Sequence, residues 1–303
     1  MQPRFLVLLA AYNGMKWISE QVESILSQQN VSVTLLISVD SSTDGTEQWV
    51  AEMATRDTRV IALPFGEKFG GAARNFFRLI KDASSADFDY FSLADQDDIW
   101  HPDKFSRAVH VINSQRVDGY SGDVTAFWPD GRTNAIVKSQ PQVSYDFLFE
   151  AAGPGCTYVF TRDLFIELQN HVVGHFAGVQ EVTLHDWYFY AFSRAKGYRW
   201  HIDNVPGMQY RQHASNQVGV NRGIKAFRSR LSQVFDGWYL NQAVRIANLV
   251  GVSDQPFVRD WINLGRIQLL RLALNSSRCR RRPRDKLVFA GLCLALALVK
   301  HKK

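Results

Sequence analysis

The sequence predicts an α/β fold, with a mostly parallel central sheet in its first half, a mixed second half and a helical, basic C-terminal region. Three observations carry this. Short continuous apolar runs alternate with segments of helical spacing from Phe5 to Ala94, the pattern of right-handed strand–helix–strand units. Several of these runs stop abruptly at carboxylates or glycines, where open parallel sheets bind ligands. Charge is also uneven: residues 216–303 hold 17 Lys/Arg and 4 Asp/Glu, while residues 1–215 hold 18 and 25.

The elements follow in order. Phe5 to Ala11 is an apolar strand of the kind buried on both faces of a sheet, and Asn13-Gly14 ends it. A signal-peptide core is the rival reading, but the run is short and only Arg4 precedes it. Trp17, Ile18, Val22, Ile25 and Leu26 recur at helical spacing. Val33 to Val39 is a second strand ending at Asp40, and Asp44 or Thr46 caps the helix behind it. Val60 to Leu63 is a third strand, and Gly70-Gly71 precede a helix through Asn75 and Leu79. Phe88 to Ala94 is the fourth. Beyond it the order changes: a hairpin at Val124 to Phe127, a strand at Cys156 to Phe160, a helix at His185 to Phe192, and short strands at Tyr198 to Ile202 and Met208 to Arg211.

With 303 residues and 46% hydrophobics, the chain can bury one large domain plus an appendage, or two domains, and disorder is excluded. Cys156, Cys279 and Cys293 are too few and too scattered for a disulfide framework or a zinc site, which fits a reducing compartment. No apolar run reaches the roughly 18 residues that cross a bilayer.

The fourth strand ends in Asp95-Gln96-Asp97-Asp98. Three carboxylates this close repel one another unless a cation neutralises them. Their oxygens suit Mg2+ or Mn2+, which in turn clamp phosphates; the plainer reading is a solvated acidic turn. Three further loops end strands. Ala11-Tyr12-Asn13-Gly14 offers a tyrosine for stacking on a base, or is an ordinary turn with a packing tyrosine. Asp40 stands where a carboxylate meets base N–H groups or ribose hydroxyls. Phe69 to Asn75 lacks the spacing of a phosphate-binding P-loop.

Leu9-Ala-Ala-Tyr-Asn-Gly14, Val39-Asp-Ser-Ser-Thr-Asp-Gly-Thr46 and Leu93-Ala-Asp-Gln-Asp-Asp-Ile-Trp100 together resemble, in order and spacing, the motifs of family 2 glycosyltransferases, which have the GT-A fold. The resemblance covers residues 3–217. It implies a GT-A catalytic domain over 1–217; the charge and apolar pattern of 218–303 reads separately as a helical, basic, membrane-associating region. The resemblance also implies a nucleotide-sugar site of Ala11, Tyr12, Asn13, Asp40, Asn75, Asp95, Gln96 and Arg211. By the same resemblance Asp97 becomes the ligand of a divalent metal held by the diphosphate; His213, an imidazole that suits Mn2+, is the candidate to complete the metal shell, with a structural histidine as the rival reading. Family members often carry two acids where this chain has Asp40-Ser41, so one nucleotide contact differs.

Leu184-His185-Asp186-Trp187 is similar to the family's acidic base motif, with His185 in place of the first acid. An acceptor hydroxyl must lose a proton as it attacks, and Asp186 is the candidate base; the alternative is a helix-capping acid. Gly155, Cys156 and Trp187 are candidates for the acceptor side, with a simple turn as the rival reading at Gly153 to Thr157. No second carboxylate nucleophile is evident, so the expected displacement inverts configuration. The Ala-Asp-Gln-Asp-Asp-Ile-Trp form, with Tyr210 to Gly219, most resembles bacterial rhamnosyltransferases. That implies dTDP-L-rhamnose as donor and a saccharide or glycolipid acceptor in surface-polysaccharide synthesis, with UDP-glucose or UDP-galactose as the alternative. A nucleotidyltransferase would carry a basic, glycine-rich triphosphate loop after its first strand, and a non-catalytic scaffold would not need Asp186.

In the tail, Ile224, Phe227, Leu231, Phe235 and Trp238 are spaced as one helical face. Arg278 to Arg284 precedes an apolar piece, Leu287 to Val299, and then Lys300-His-Lys-Lys303. An apolar segment too short to span and bracketed by cations suits the headgroup layer of an anionic cytoplasmic leaflet. The rival is a helix packed on the body. A nucleic-acid role is disfavoured, since no nucleic-acid module accompanies the arginines.

Overall fold

A computed structural model of the chain describes residues 2–213 and 237–299. It resolves into two compact units that interleave in sequence. The first comprises Met1–Ser139, Gly153–Asp186 and Gly197–His213; the second comprises Gln140–Ala152, Trp187–Lys196 and Ala214–Lys303. Two internal segments, 140–152 and 187–196, thus group with the C-terminal helices.

In the first unit, β1 (Arg4–Ala11), β2 (Ser32–Val39), β3 (Val60–Ala62) and β4 (Tyr90–Ala94) pair in parallel. With β6 (Gly119–Gly122), β9 (Val159–Thr161) and β10 (Trp200–Asp203) they form a seven-stranded sheet in the order β10-β6-β9-β4-β1-β2-β3. Only β9 runs antiparallel to its neighbours. The continuous apolar run of β1 is explained by burial on both faces. Phe5, Val7 and Leu9 pack with Ile18, Val22 and Ile25 of α1 (Ile18–Leu26) and with Phe105 and Ala108 of α4 (Lys104–Gln115). The opposite face takes α3 (Ala72–Asp82), whose Phe76, Phe77, Leu79 and Ile80 are fully buried. A second sheet holds β5 (Ile99–Trp100), β11 (Met208–Arg211), β7 (Val124–Phe127) and β8 (Thr133–Ile136) in the order β5-β11-β7-β8. The hairpin expected at Val124 is β7–β8. The strand expected from Cys156 starts only at Val159, because Gly155–Thr157 forms a 3-10 turn.

The second unit is mainly helical: Trp187 to Ala195 of α7 (His185–Ala195), then α8 (Trp238–Leu249), α9 (Pro256–Arg259), α10 (Arg266–Leu274), α11 (Ser276–Cys279) and α12 (Pro283–Val299). The expected face of Ile224, Phe227, Leu231 and Phe235 lies outside the described residues; Trp238 begins α8. The arginine run was expected at a lipid surface, but Arg280 and Arg281 are instead drawn inward. Arg281, fully buried, donates to Asp146 Oδ2 at 3.0 Å and to Ala151 O at 2.8 Å, and lies 3.6 Å from Glu150. Arg280 donates to Phe149 O at 3.0 Å. Buried guanidinium groups survive only when paired in this way.

Candidate active site

Strand register assembles the site. Ala11 pairs with Val39, and Leu9 with Ala94, so β1, β2 and β4 end side by side. The residues that follow them, Tyr12-Asn13, Asp40 and Asp95, share one rim. Because β9 is antiparallel, with Val159 opposite Ser92, the turn before it brings Cys156 to the same rim. In the second sheet Gln209 pairs with Ile99 in antiparallel register, which sets Arg211 opposite Asp97 and Asp98.

The nucleotide-side loops are stitched to one another. Gln96 accepts from Tyr12 N at 2.7 Å and donates to Tyr12 O at 2.9 Å. A side chain at Gly14 would strike Gln96, so glycine is required by this close approach. Asn13 is held at a left-handed φ of 45° and accepts from Thr43 N at 2.9 Å. Gly14 N donates to Thr46 Oγ1 at 2.8 Å, and Asp44 Oδ1 accepts from Thr46 N at 3.1 Å, consistent with the expected helix start. Tyr12 is 55% exposed, free to meet a flat ligand. Asp40 is buried, and its two oxygens accept from Phe69 N and Gly70 N, both at 2.9 Å, which fixes the Phe69–Gly71 loop above it.

Asp95, Asp98 and Cys156 bring potential ligand atoms within 4.8 Å of one another. Burial, then the neighbouring Asp97 charge, pushes the Asp95 carboxyl up to about 7. The same causes, with Asp95 added, hold Asp98 well above the ordinary carboxylate range. Burial, with Asp98 and Asp95 beside it, also keeps Cys156 a thiol. Asp98 accepts Arg211 N at Oδ1 (3.1 Å), while Oδ2 is buried with no hydrogen-bond partner among the described residues. Asp97 Oδ2 lies 2.6 Å from His213 Nε2, and the His213 ring stacks on Trp17 with centroids 4.0 Å apart. An excess of carboxylate oxygen with an orphaned buried acceptor fits a hard divalent cation.

The catalytic-base candidate stands at the start of α7. Asp186 is partly exposed, and its charge reaches Asp95, whose pKa it helps to raise. His185 stacks on buried Phe76 (centroids 4.0 Å), and burial lowers its pKa to about 3, so the ring is neutral.

Several of the expected site residues are buried or already hydrogen-bonded within the protein. Cys156 is fully buried and cannot face an acceptor. Trp187, 2% exposed, donates its indole N–H to Phe147 O and stacks on Tyr239. What crowds Gly155 is not a sugar but His185, whose Nε2 would lie 2.6 Å from an added Cβ. Asn75 is buried and donates to Ser38 O at 3.0 Å and Ala11 O at 3.4 Å, clamping β1 to β2; Ala11, buried too, spends its carbonyl there and on Asp40 N. The Arg211 guanidinium donates to Asp97 O at 2.7 Å and pairs with Glu20, so it fastens the acidic loop.

Sequence reasoning missed three participants: Trp17, Glu20 and Lys104. Lys104 is buried at the first turn of α4, lies over the Trp100 indole and donates to Cys156 O at 3.0 Å; burial brings its ammonium down to about 7, against the pull of Cys156 and Asp98. A lysine after His101-Pro102 reads as solvated, and nothing local marks it otherwise.

The family model described as Glycosyl transferase family 2 matches residues 6–163. The dTDP-rhamnosyl transferase RfbG of Shigella flexneri is 42% identical over 280 residues, covering 92% of this chain and 96% of its own. A UDP-Glc:alpha-D-GlcNAc-diphosphoundecaprenol beta-1,3-glucosyltransferase, WfaP of Escherichia coli, is 29% identical over 50% of this chain and 58% of its own. Among solved structures, S. aureus TarS 1-349 with UDP-GlcNAc aligns at TM-score 0.57 and 13% identity, over 99% of this chain and 91% of its own. The mannosyltransferase PcManGT of Pyrobaculum calidifontis, with GDP-Man and Mn2+, aligns at TM-score 0.52 and 17% identity, over 100% and 88%. These two likenesses show the GT-A fold.

Proposed function

The chain belongs to glycosyl transferase family 2, and on that premise we propose that it moves L-rhamnose from dTDP-L-rhamnose onto a saccharide or glycolipid acceptor in surface-polysaccharide synthesis. The observation that carries the reaction is the convergence of Asp95, Asp97 and Asp98 with Asp186 at one sheet rim. The donor rests on the 42% identity to RfbG over nearly the whole chain. WfaP's partial match keeps UDP-glucose as the second donor to test.

The displacement is single. Asp186 takes the acceptor hydroxyl proton while that oxygen bonds to the anomeric carbon, and the bond from that carbon to the diphosphate breaks on the opposite face, inverting configuration. Asp97, with Asp95, Asp98 and His213 around it, would hold the Mg2+ or Mn2+; the cation supplies positive charge for the departing diphosphate. Tyr12, Asn13 and Asp40 frame the nucleotide, and Gln96 keeps the metal loop in register with Tyr12. An anionic membrane surface, at the cytoplasmic face of the inner membrane where such acceptors are built, completes the reading; residues 1–217 are its catalytic portion and 218–303 its membrane-associating portion.

The test is turnover of dTDP-L-rhamnose, UDP-glucose and UDP-galactose by the full chain. Asp186→Asn should lower kcat by roughly 10³-fold, within the range for loss of a general base, with donor KM little changed. Chelator should abolish activity and Mn2+ restore it. Near-normal turnover by Asp186→Asn removes the base assignment, and full activity in excess chelator removes the metal.

A further inference from the structure

The second unit leaves a surface that its own packing does not explain. From Leu287 to Val299, α12 carries no charged or polar side chain. A helix apolar on every side is normally enclosed on every side. Here one side is enclosed: Phe289, Cys293, Leu296 and Ala297 are buried. The other is open, with Leu287 at 77% exposure and Leu298 at 68%, and with Val288, Leu294 and Val299 also exposed. At 3.6 residues per turn, Leu287, Leu294 and Leu298 fall on one stripe with Gly291 between them. The neighbouring α10 packs directly on α12 and repeats the arrangement. Ile267, Leu270 and Leu274, spaced i, i+3, i+7, are exposed, while Leu269, Leu272 and Ala273 are buried.

Charge selects what covers these stripes. Arg266 is exposed beside the α10 stripe, Arg271 is exposed on the same face with an Asp260 carboxylate 3.8 Å away, and Arg284 is exposed one turn before Leu287, on the open side of α12. Arg280 and Arg281 are turned inward onto Glu150 and Asp146, which leaves Arg266 and Arg284 as outward cations. A second copy would present the same cations and repel. A layer of anionic headgroups over acyl chains complements both features, drawing the arginines electrostatically and burying the leucines. No helix among the described residues is long and apolar enough to cross a membrane, so the contact lies in the interface plane.

We propose that the open faces of α10 and α12 form an interfacial membrane-docking surface for anionic lipid, with Leu287, Leu294 and Leu298 entering the acyl boundary and Arg266, Arg271 and Arg284 at headgroup level. This deepens the reading that the enzyme works at a membrane surface, and it is tested apart from catalysis. The full chain is floated with vesicles of phosphatidylethanolamine and phosphatidylglycerol, and with neutral phosphatidylcholine vesicles, at 0.15 M salt. Binding to the anionic vesicles is expected, weakening on neutral ones. The triple variant Leu287→Glu, Leu294→Glu, Leu298→Glu should bind them at least roughly tenfold more weakly, with the same melting temperature and the same rate of nucleotide release from donor in vesicle-free buffer. Wild-type protein that stays with the unbound fraction overturns the proposal, as does a triple variant that binds equally well. So does a wild-type dimer that the triple variant breaks, since the face is then a contact between copies. Failure of donor turnover with binding intact would count against the catalytic reading alone.

Discussion

Replacing Gly155 with alanine adds one methyl at the most constrained point beside the proposed base. The backbone there is not left-handed, so alanine is conformationally acceptable and the cost is steric. The new Cβ would lie 2.6 Å from His185 Nε2 and 3.3 Å from Asp186 Cβ, where ordinary contact begins at 3.4 Å. The imidazole must therefore retreat by about 0.8 Å. It cannot do so freely, because its ring is stacked on Phe76, which is fully buried. The displacement passes to the first turn of α7, which carries Asp186. A shift near 1 Å in a reacting group costs on the order of 100-fold in rate, and overpacking of this size costs about 1–3 kcal/mol of stability. Gly155→Ala should thus lower kcat roughly a hundredfold with donor KM little changed, measured by steady-state nucleotide release, and should lower the melting temperature moderately. Adding His185→Ser to Gly155→Ala removes the obstructing ring and should recover most of the lost rate. A Gly155→Ala enzyme within twofold of wild-type activity, or one whose defect His185→Ser leaves untouched, refutes the chain of contact from Gly155 through His185 to Asp186.

Three further outcomes follow from the same structure. Burial holds His185 neutral down to about pH 3, whereas the unfolded chain binds a proton near pH 6.5. The unfolded state therefore carries more protons between these values and stability falls as pH drops through that window, by up to ~2 kcal/mol at pH 5 and less for the partial exposure of the ring; denaturant melts of His185→Gln should show a shallower acid decline than wild type. Gln96→Ala removes both hydrogen bonds to Tyr12 and should raise donor KM several-fold with a smaller effect on kcat; an unchanged KM would separate Gln96 from nucleotide positioning. Arg281→Met leaves buried Asp146 with Arg194 and Tyr190 as its side-chain partners among the described residues. It should destabilise the protein by roughly 3 kcal/mol, and Asp146→Asn in that background should return part of the loss in thermal denaturation; no loss would mean that the buried pair is energetically idle.

Local chemistry along the chain was enough to locate several features. Continuous apolar runs placed β1, β2 and β4, since a strand buried on both faces has no polar side to show. The spacing of Asp95, Asp97 and Asp98 pointed to a candidate cation site, because like charges so close repel unless a cation neutralises them. The position of Asp186 at a helix start was equally legible. Which side chains reach the rim and which are spent beneath it depends on packing between segments far apart in the chain. Asn75, Ala11 and Arg211 look available in the sequence yet are engaged with backbone or with Glu20. Cys156 and Trp187 are closed off by packing. Lys104 looks solvated yet lies buried under the acidic loop. The division into units could not be read either, because segments 140–152 and 187–196 join the C-terminal helices through ion pairs such as Asp146–Arg281, 135 residues apart in the chain. Periodicity and spacing report a residue's neighbours along the chain, whereas burial and the pairing of charges depend on what distant segments bring against it.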